Sequence, residues 1–519
     1  SNEINLNRGQ MDLPVSDKLP VVPKANTAKK PAPKNGRVAV IDIGSNSLRL
    51  VVYDKNGAYP SPLFDERANC RLGEGLDKTE ELAPDRIKYA LQTLRRFAAI
   101  ISEMKVESCY PIATAAVRRA KNGSEFRDPA ENILGMPVQI LSKADEANHV
   151  SRGLTLNLPE ATGLVADLGG GSIEIIALRR GEVCHSVSLN YGHLSSVTAS
   201  EIGSALAEHS WIRDFGAKQL FGVGGSFRTI GSAFISRTGY PLHVLHGLKI
   251  KRKDVLAICR DLRSDEPSLE GVPLSRAATI PVAAMIIQEL IEFSKVYRLT
   301  VSGTSVRDGV IAINELNANQ QADFLMAVSE EIADSTGRVA NVSPALKKFL
   351  KPLSKICLAG SERLINVAAN MSDLCWHEHS DLRGDIAARH VLSLPVNCVT
   401  HKERVWLAVA LYHRHFGLKP NKARPQDLDV LLSKKRISDA MVIGLAMRFA
   451  LIFSAGASTP MKLIRLKIKD SKLILKIDKS IENLMDHHCE RRLKQLAASA
   501  GLSPKIILKK KFNLMKSGL

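Results

Sequence analysis

A short motif occurs twice in this chain, and the duplication limits the possible folds more than any other feature of the sequence. Residues 42–47 are D-I-G-S-N-S and residues 167–172 are D-L-G-G-G-S, so both copies fit the pattern D-x-G-x-x-S. Each copy lies between two apolar segments that are rich in β-branched residues. Such a pattern predicts a β-hairpin whose tip is polar and flexible.

A second pair of segments repeats in the same order. Residues 114–118 (T-A-A-V-R) follow a predicted strand at 108–113, and residues 224–228 (G-G-S-F-R) follow one at 219–223. The sequence therefore predicts two copies of one α/β unit. If the copies face each other, four polar tips meet in one cleft.

The residue types of the tips suit a phosphate-binding site. Glycine lets backbone N–H groups approach a phosphate because no Cβ is in the way. A carboxylate at the end of the strand can hold Mg²⁺ beside that phosphate, directly or through water. A tight turn without function is the alternative for a single copy. Because the motif occurs twice in the same context, we favour the phosphate site.

Six segments, taken in order, resemble the exopolyphosphatase/guanosine pentaphosphate phosphohydrolase (Ppx/GppA) family. They are residues 42–47 with Arg49, 113–118, 145–147, 167–172, 222–226, and 302–309 with Arg307. The resemblance is strong over residues 37–315 and weaker towards the C-terminus. It implies an α/β fold of duplicated actin-like ATPase (ribonuclease H-like) domains, followed by a helical HD-like domain and a small α+β C-terminal domain.

The resemblance also implies roles for individual residues. Glu146 corresponds to the family's catalytic glutamate, the base that activates the attacking water. The implied phosphate-binding residues are Asn46, Ser47, Arg118, Gly169, Gly170, Gly171, Ser172, Gly225 and Ser226. The implied metal-binding residues are Asp167, Glu146 and Asp42. The alternatives are a surface glutamate at a helix N-terminus for Glu146 and a solvated helix face for Arg118.

Five regions follow one another along the chain. Residues 1–36 contain five prolines and too few apolar side chains to offset the entropy of ordering, so we expect a disordered tail. The other expected regions are actin-like domain I at 37–157, actin-like domain II at 158–316, a helical HD-like domain at 317–420 and a basic α+β domain at 421–519.

The two C-terminal regions lack one expected metal-binding signature and contain one strand pattern. The metal-ligand signature of HD domains is absent, because Ser372 and Asp373 stand where the resemblance would place His-Asp. An alternating run at 463–477 predicts a hairpin that turns at Asp470 and Ser471.

Charge and composition limit the partners. The chain has 72 Lys and Arg against 53 Asp and Glu, a net charge of +19, and residues 421–519 have 21 against 8, a net +13. This excess indicates a polyanionic partner. No apolar run reaches the roughly 18 residues of a membrane span, and eight Cys without a C-x-x-C pair indicate the reduced thiols of a cytoplasmic protein. Secreted, membrane-spanning, collagen-like and zinc-ribbon proteins are therefore excluded.

We expect an exopolyphosphatase that releases terminal orthophosphate from inorganic polyphosphate, with Mg²⁺ as cofactor. The resemblance further implies a homodimer, and a monovalent cation such as K⁺ is compatible with it. A guanosine pentaphosphate (pppGpp) 5′-phosphohydrolase is the alternative, but the basic C-terminal region favours a long polyanion. An ATP-dependent kinase of the same fold stays open. Nucleic acid is disfavoured as a partner, because aromatic residues make up 5% of the chain and form no basic aromatic stripe.

Overall fold

The computed structural model describes residues 36–316, 323–338, 342–418 and 426–509. The predicted tail, apart from Gly36, and the lysines at 510 and 511 lie outside these ranges.

The chain forms two compact units. Unit 1 holds the residues up to 53 and residues 62–141, and unit 2 holds residues 54–61 and those from 142 onwards. The short segment 54–61 therefore belongs to unit 2, although unit 1 precedes and follows it in the sequence. The five-region division of the sequence stays a prediction.

Unit 1 is built on a five-stranded sheet with the order β3-β2-β1-β4-β5. Its strands are β1 (Arg37–Ile43), β2 (Leu48–Asp54), β3 (Ser61–Ala68), β4 (Ser108–Ala113) and β5 (Gln139–Ile140). Its helices are α1 (Leu76–Thr79), α2 (Pro84–Glu103), α3 (Ala115–Arg119) and α4 (Gly123–Leu134). Helix α2 begins with Pro84 and an acidic first turn, and it buries Leu94 and Phe97 in the core of the unit.

Unit 2 begins with helix α5 (Lys143–Thr155) and a six-stranded sheet with the order β10-β11-β9-β6-β7-β8. Its strands are β6 (Gly163–Leu168), β7 (Ile173–Arg179), β8 (Glu182–Leu189), β9 (Gln219–Val223), β10 (Lys249–Lys251) and β11 (Arg298–Val301). Its helices are α6 (Ala199–Ala207), α7 (Trp211–Asp214), α8 (Gly225–Thr238), α9 (Arg252–Leu262), α10 (Ile280–Ser294) and α11 (Val306–Asn314).

The two sheets have the same topology. Strands β8-β7-β6-β9-β11 of unit 2 repeat the order β3-β2-β1-β4-β5 of unit 1, and β10 adds one antiparallel strand at the edge. In both sheets the first strand pairs in parallel with the strand that follows the hairpin and its helix, β1 with β4 and β6 with β9. The expected duplication of an actin-like, ribonuclease H-like domain is confirmed.

A helical region follows within unit 2. Its helices are α12 (Phe324–Thr336), α13 (Val342–Leu350), α14 (Ser361–Asn370), α15 (Arg383–Leu392), α16 (His401–Phe416), α17 (Lys434–Phe453) and α18 (Ser458–Lys462). Helices α16 and α17 are buried on most sides, and their core contains Trp406 and Phe449.

The chain ends in a three-stranded sheet with one helix. The predicted hairpin is confirmed: β12 (Ile464–Lys469) and β13 (Lys472–Asp478) are antiparallel, and Asp470 and Ser471 both have positive φ at the turn. After α19 (His487–Ser499), strand β14 (Ser503–Lys509) joins β13 in parallel. All eight cysteines are free thiols, as expected. Each helix of the described ranges is too short or too polar to cross a bilayer.

Candidate active site

The two copies of the D-x-G-x-x-S motif form the same turn. In unit 1 the Gly44 N–H donates to the Ser47 carbonyl at 3.1 Å, and in unit 2 the Gly169 N–H donates to the Ser172 carbonyl at 2.9 Å. Each turn joins two strands of its sheet, β1 to β2 and β6 to β7. The sequence repeat is therefore a structural repeat at the level of single hydrogen bonds.

Each turn is also held by the loop that follows the third strand of its sheet. In unit 2 the Leu194 N–H donates to the Gly170 carbonyl at 2.9 Å, and in unit 1 the Gly73 N–H donates to the Ser45 carbonyl at 2.8 Å. A Cβ on Gly192 would lie 2.2 Å from the Gly170 carbonyl carbon. Only glycine fits there, so the loop fixes the tip of unit 2 by direct backbone packing.

Three carboxylates of unit 2, which we call the acidic cluster, are Glu146, Asp167 and Glu174. Asp167 and Glu174 face each other as register partners on β6 and β7. Glu174 is 1% exposed, and its carboxylate accepts hydrogen bonds from the Ser188 hydroxyl at 2.9 Å and from Ser172. Burial raises the pKa of Glu174 well above its ordinary value, and the charges of Glu146 and Asp167 raise it further.

The position of Glu146 is fixed by close packing of two helices. Glu146 lies in the first turn of α5 and is 8% exposed, which argues against a surface glutamate. A Cβ on Gly153 of α5 would lie 2.5 Å from the Ser305 carbonyl. A Cβ on Gly309 of α11 would lie 1.8 Å from the His149 carbonyl. These two glycines let α5 and α11 touch, and this contact places α5 beside the sheet.

The N-terminus of α8 forms an anion-binding arrangement beside Asp167. Gly224 precedes the helix with φ +96°, and a Cβ there would lie 2.8 Å from the Asp167 carboxylate. Ser226 is 1% exposed, and its hydroxyl has no hydrogen-bond partner in the described structure. The buried guanidinium of Arg276 packs on Gly225, where a Cβ would lie 1.9 Å from Nη2. Helix N–H groups, a hydroxyl and a guanidinium together suit a phosphate.

Arg276 carries a buried positive charge. Across the ranges that the structure describes, its guanidinium forms no ion pair, and burial lowers its pKa. A buried guanidinium of this kind is stabilised when an anion binds against it.

The predicted residues of unit 1 lie at the ends of its strands. Asp42 is the last residue but one of β1, and Asn46 and Ser47 lie in the half-buried turn after the strand. Arg118, near the end of the short helix α3, is also half-buried, and its Nη1 donates to the Leu141 carbonyl at 2.7 Å. This hydrogen bond ties the Arg118 side chain to the backbone instead of leaving it on a solvated helix face.

The two copies differ at one position that matters for metal binding. The residue seven places after the motif aspartate is Arg49 in unit 1 and Glu174 in unit 2. Arg49 forms a bidentate ion pair with Asp65, in which its Nε–H donates to Asp65 Oδ1 at 2.7 Å. Glu174 instead faces Asp167, and two carboxylates opposite each other repel unless one is protonated or a cation lies between them. Their oxygen donors suit Mg²⁺, so the structure favours unit 2 as the place where a metal would bind.

The position of the missing HD signature is filled by ion pairs. Asp373 is 4% exposed and pairs with Arg338 at 2.7 Å and with Arg414 at 3.1 Å. These arginines hold the pKa of Asp373 below its ordinary value although burial acts in the opposite direction. The charge of Asp373 is therefore already balanced by two guanidinium groups.

Within the described ranges, one group of three residues has its possible metal-ligand atoms close enough together to hold an ion. Asp486, His487 and His488 have ligand atoms within 4.8 Å of one another, but all three are exposed. The carboxylate oxygens of the acidic cluster do not all lie within this distance of one another. Magnesium is usually held by one or two carboxylates together with water and substrate phosphates, so the cluster still fits this ion.

Sequence reasoning missed Glu174 and Arg276. A signal for Glu174 existed, because a carboxylate inside the apolar strand 173–179 at the position of Arg49 in the other copy is unusual. Arg276 lies in a short 3₁₀ turn far from any motif, and only the tertiary packing brings it to Gly225.

Comparison with known proteins gives two family matches. Residues 50–318 match the Ppx/GppA phosphatase family, and residues 356–507 match the exopolyphosphatase C-terminal family.

Individual relatives cover about half of the chain. The exopolyphosphatase 2 of Mycobacterium tuberculosis is 28% identical over an alignment of 313 residues, and the match covers 53% of this chain and 97% of that protein. The crystal structure of an exopolyphosphatase from Cytophaga hutchinsonii is 24% identical, covers 53% of this chain and 96% of that one, and has a TM-score of 0.49. The Aquifex aeolicus member of the Ppx/GppA family is 26% identical with the same coverage and a TM-score of 0.45.

Proposed function

From its membership of the Ppx/GppA phosphatase family, which the match over more than half of the chain shows, we propose that this hydrolase is an exopolyphosphatase that releases terminal orthophosphate from inorganic polyphosphate. The observation that carries the proposal is the acidic cluster beside the N-terminus of α8. At that N-terminus the buried hydroxyl of Ser226 and the buried guanidinium of Arg276 can both donate hydrogen bonds to an anion. A cation site next to a phosphate site is what phosphoryl transfer to water requires.

Glu146 is the proposed general base. Its carboxylate is buried and lies close enough to Glu174 for their charges to interact, which places it within the acidic cluster. It takes a proton from the attacking water as the new P–O bond forms.

Asp167 and Glu174 are the proposed holders of Mg²⁺, with Glu146 beside them. The ion, when bound, would supply positive charge for the phosphate oxygens and would relieve the repulsion within the acidic cluster. Asp42 of unit 1 stays a predicted metal ligand, although the residue of unit 1 that corresponds to Glu174 is Arg49 and not an acid.

The phosphate chain is proposed to bind to backbone N–H groups and to side-chain donors. In unit 2 these are the tip formed by Gly169, Gly170, Gly171 and Ser172, the α8 N-terminus at Gly225 and Ser226, and Arg276. In unit 1 they are Asn46, Ser47 and Arg118. The leaving group is itself a phosphate, so positioning and charge neutralisation are the main tasks of these residues.

A basic face of the C-terminal sheet supports polyphosphate over a single nucleotide. The registers of β12, β13 and β14 place one set of side chains on the face opposite to the buried Leu466 and Leu475. That face, which we call the basic face, carries Arg465, Lys467, Lys469, Lys472, Lys476 and Lys505. Neighbouring cations lie roughly 5–7 Å apart by sheet geometry. Such spacing suits a long chain of phosphates.

The alternative is a guanosine pentaphosphate 5′-phosphohydrolase, which would use the same cluster on a shorter substrate. Phosphate release from long polyphosphate, pppGpp and ATP, measured with Mg²⁺, separates these functions. Release from polyphosphate at the highest kcat/KM is expected, and release from ATP alone would overturn the proposal. The Mg²⁺ requirement, the homodimer, a K⁺ effect and the cytoplasmic location remain predictions.

Glu146→Gln tests the mechanism. We expect a loss of roughly 10²–10⁴-fold in kcat with little change in substrate binding, because the amide cannot accept the proton. The matched control is Glu208→Gln on exposed Glu208, which should keep full activity. Asp167→Asn should shift the Mg²⁺ dependence to higher concentrations. An active Glu146→Gln enzyme would remove this residue from the mechanism.

A further inference from the structure

Unit 2 contains a cavity that the proposed hydrolysis does not use. It lies between strands β9, β11 and β10 of the sheet, the loop after α5 and the N-terminal end of α16, and it has a volume of about 700 Å³. This is within the range of small-molecule sites in proteins. Its apolar walls are formed by Leu154, Leu158, Phe221, Val301 and Val399.

A buried amide in the wall of this cavity lacks a partner. Asn157 is 7% exposed, and its Oδ1 accepts a hydrogen bond from the Tyr59 hydroxyl at 3.1 Å. Its Nδ2 has no acceptor anywhere in the described ranges. Exchanging the two amide atoms would leave Oδ1 without a partner instead. Buried polar groups rarely lack a hydrogen-bond partner. An acceptor atom of a ligand in the cavity can provide the missing partner of Asn157 Nδ2.

The mouth of the cavity is positively charged. Lys249 and Arg298 lie on the paired strands β10 and β11, and neither forms an ion pair within the described chain. The pKa of Lys249 is lowered by burial and by the nearby charges of Arg298 and Lys402. The nearest basic groups therefore repel one another, and an anion would relieve this repulsion.

The acidic groups at the cavity already have partners. Glu403 pairs with Arg363 at 2.9 Å and caps α16 through Thr400, and Glu160 pairs with Arg180 at 2.9 Å. Glu403 attracts Lys249 at longer range, but neither Lys249 nor Arg298 forms an ion pair with these acids within the described ranges.

We propose that this cavity binds a small organic anion with an apolar or aromatic body. The body fills the space between Leu158, Phe221 and Val399, a polar atom of it bonds to Asn157, and its carboxylate or phosphate lies against Lys249 and Arg298. An inorganic phosphate chain has no apolar body and does not match these walls. The site is therefore distinct from the acidic cluster, and it does not depend on the proposed hydrolysis.

The fluorescent apolar anion 8-anilinonaphthalene-1-sulfonate is a suitable probe for the full-length protein. We expect saturable binding of one probe per chain. Lys249→Gln and Arg298→Gln should each weaken the binding by about tenfold or more, because each removes a charge that faces the sulfonate. Lys253→Gln, on the exposed face of α9, is the matched control and should bind the probe normally. Equal affinity in all three variants, or no saturable binding, would overturn the proposal.

Competition identifies the class of ligand. Adenosine 5′-monophosphate and salicylate each carry an aromatic body, one with a phosphate and one with a carboxylate, and displacement by either supports the site and names the anionic group. Failure of both to displace the probe, or displacement by tripolyphosphate, would refute the apolar body. Leu158→Trp narrows the cavity without changing its charge and should also weaken binding. Glu146→Gln should bind the probe as the unaltered protein does, so loss of hydrolysis and loss of this site are distinguishable.

Discussion

Two neutral histidines connect the sheet of unit 2 to its helical region, and they make its stability depend on pH. The His401 Nε2–H donates to the His246 carbonyl at 3.0 Å, and the Tyr240 hydroxyl donates to His401 Nδ1 at 2.9 Å. The Gly303 N–H donates to His246 Nδ1 at 2.9 Å. Burial lowers the pKa of each histidine from 6.5 to about 4, and the positive charge of Arg404 adds to this effect.

The sign and size of the effect follow from these pKa values. Between pH 6.5 and about 4 the unfolded chain binds protons at both positions that the folded chain does not bind, so the free energy of unfolding falls as the pH falls. At pH 5 each histidine should lower it by about 2 kcal/mol relative to pH 7.5, and the two together by about 4 kcal/mol. Above pH 6.5 the penalty is absent because both states are neutral.

Urea unfolding at pH 7.5 and pH 5.0, followed by tryptophan fluorescence, measures this difference. His401→Gln removes one titrating group, so its loss of stability between the two pH values should be smaller by about 2 kcal/mol than that of the unaltered protein. His390→Gln, at an exposed position on α15, is the control and should keep the full pH dependence. If His401→Gln loses as much stability as the unaltered protein, the reasoning about the neutral connection is wrong.

Three further predictions concern unit 2. Arg276→Gln should lower kcat/KM for polyphosphate by about 10²-fold, because the α8 N-terminus loses its charged donor, and steady-state phosphate release measures it. Asp373→Asn should lower the free energy of unfolding by about 3–5 kcal/mol, because Arg414 stays buried without a counterion, and urea unfolding at pH 7.5 measures it. Changing Lys467 and Lys469 together to Gln should raise KM for long polyphosphate and reduce its salt slope by about one for each phosphate-binding lysine removed, while hydrolysis of tripolyphosphate stays the same.

Each of these predictions has a control variant or a result that would contradict it. Arg260→Gln on exposed Arg260 should leave kcat/KM unaltered, and an equal effect of both arginine changes would remove the special role of Arg276. Asp470→Asn, at the exposed turn of the C-terminal hairpin, should leave stability nearly the same. An unaltered KM and salt slope in the double lysine variant would show that the basic face does not hold the polymer.

The duplicated fold could be predicted because its signals are local. Each D-x-G-x-x-S turn is closed by a hydrogen bond between residues three apart, from Gly44 to Ser47 and from Gly169 to Ser172. Apolar strands on either side fix the hairpin, so short stretches of sequence hold the necessary information. The ends of the predicted strands agree with the structure to within about two residues.

The site could be predicted only in part, because some of its groups are assembled from distant segments. Glu146 and Asp167 lie in motifs, whereas Arg276 reaches Gly225 from a loop without a pattern. Glu174 could have been found by aligning the two copies residue by residue.

The third strand of the C-terminal sheet was missed for a different reason. The two lysines of β14, Lys505 and Lys509, resemble those of a solvated tail when the partner strand is unknown. Parallel pairing with β13 gives these residues a face and a register that no local pattern contains.

The segment 54–61 has a consequence for the time course of synthesis. Lys55 pairs with Glu315 at 2.5 Å across a separation of 260 residues, and the Ala58 N–H donates to Glu331 at 3.0 Å across 273 residues. The ring of Tyr59 packs edge-on against Phe324 at 5.2 Å. At about 5–20 residues per second, roughly 13–55 s pass between the synthesis of this segment and that of its partners. During that interval Tyr59 lacks Phe324, although its hydrogen-bond partner Asn157 is made earlier, so the earliest-made part of unit 2 is among the last to reach its full set of contacts.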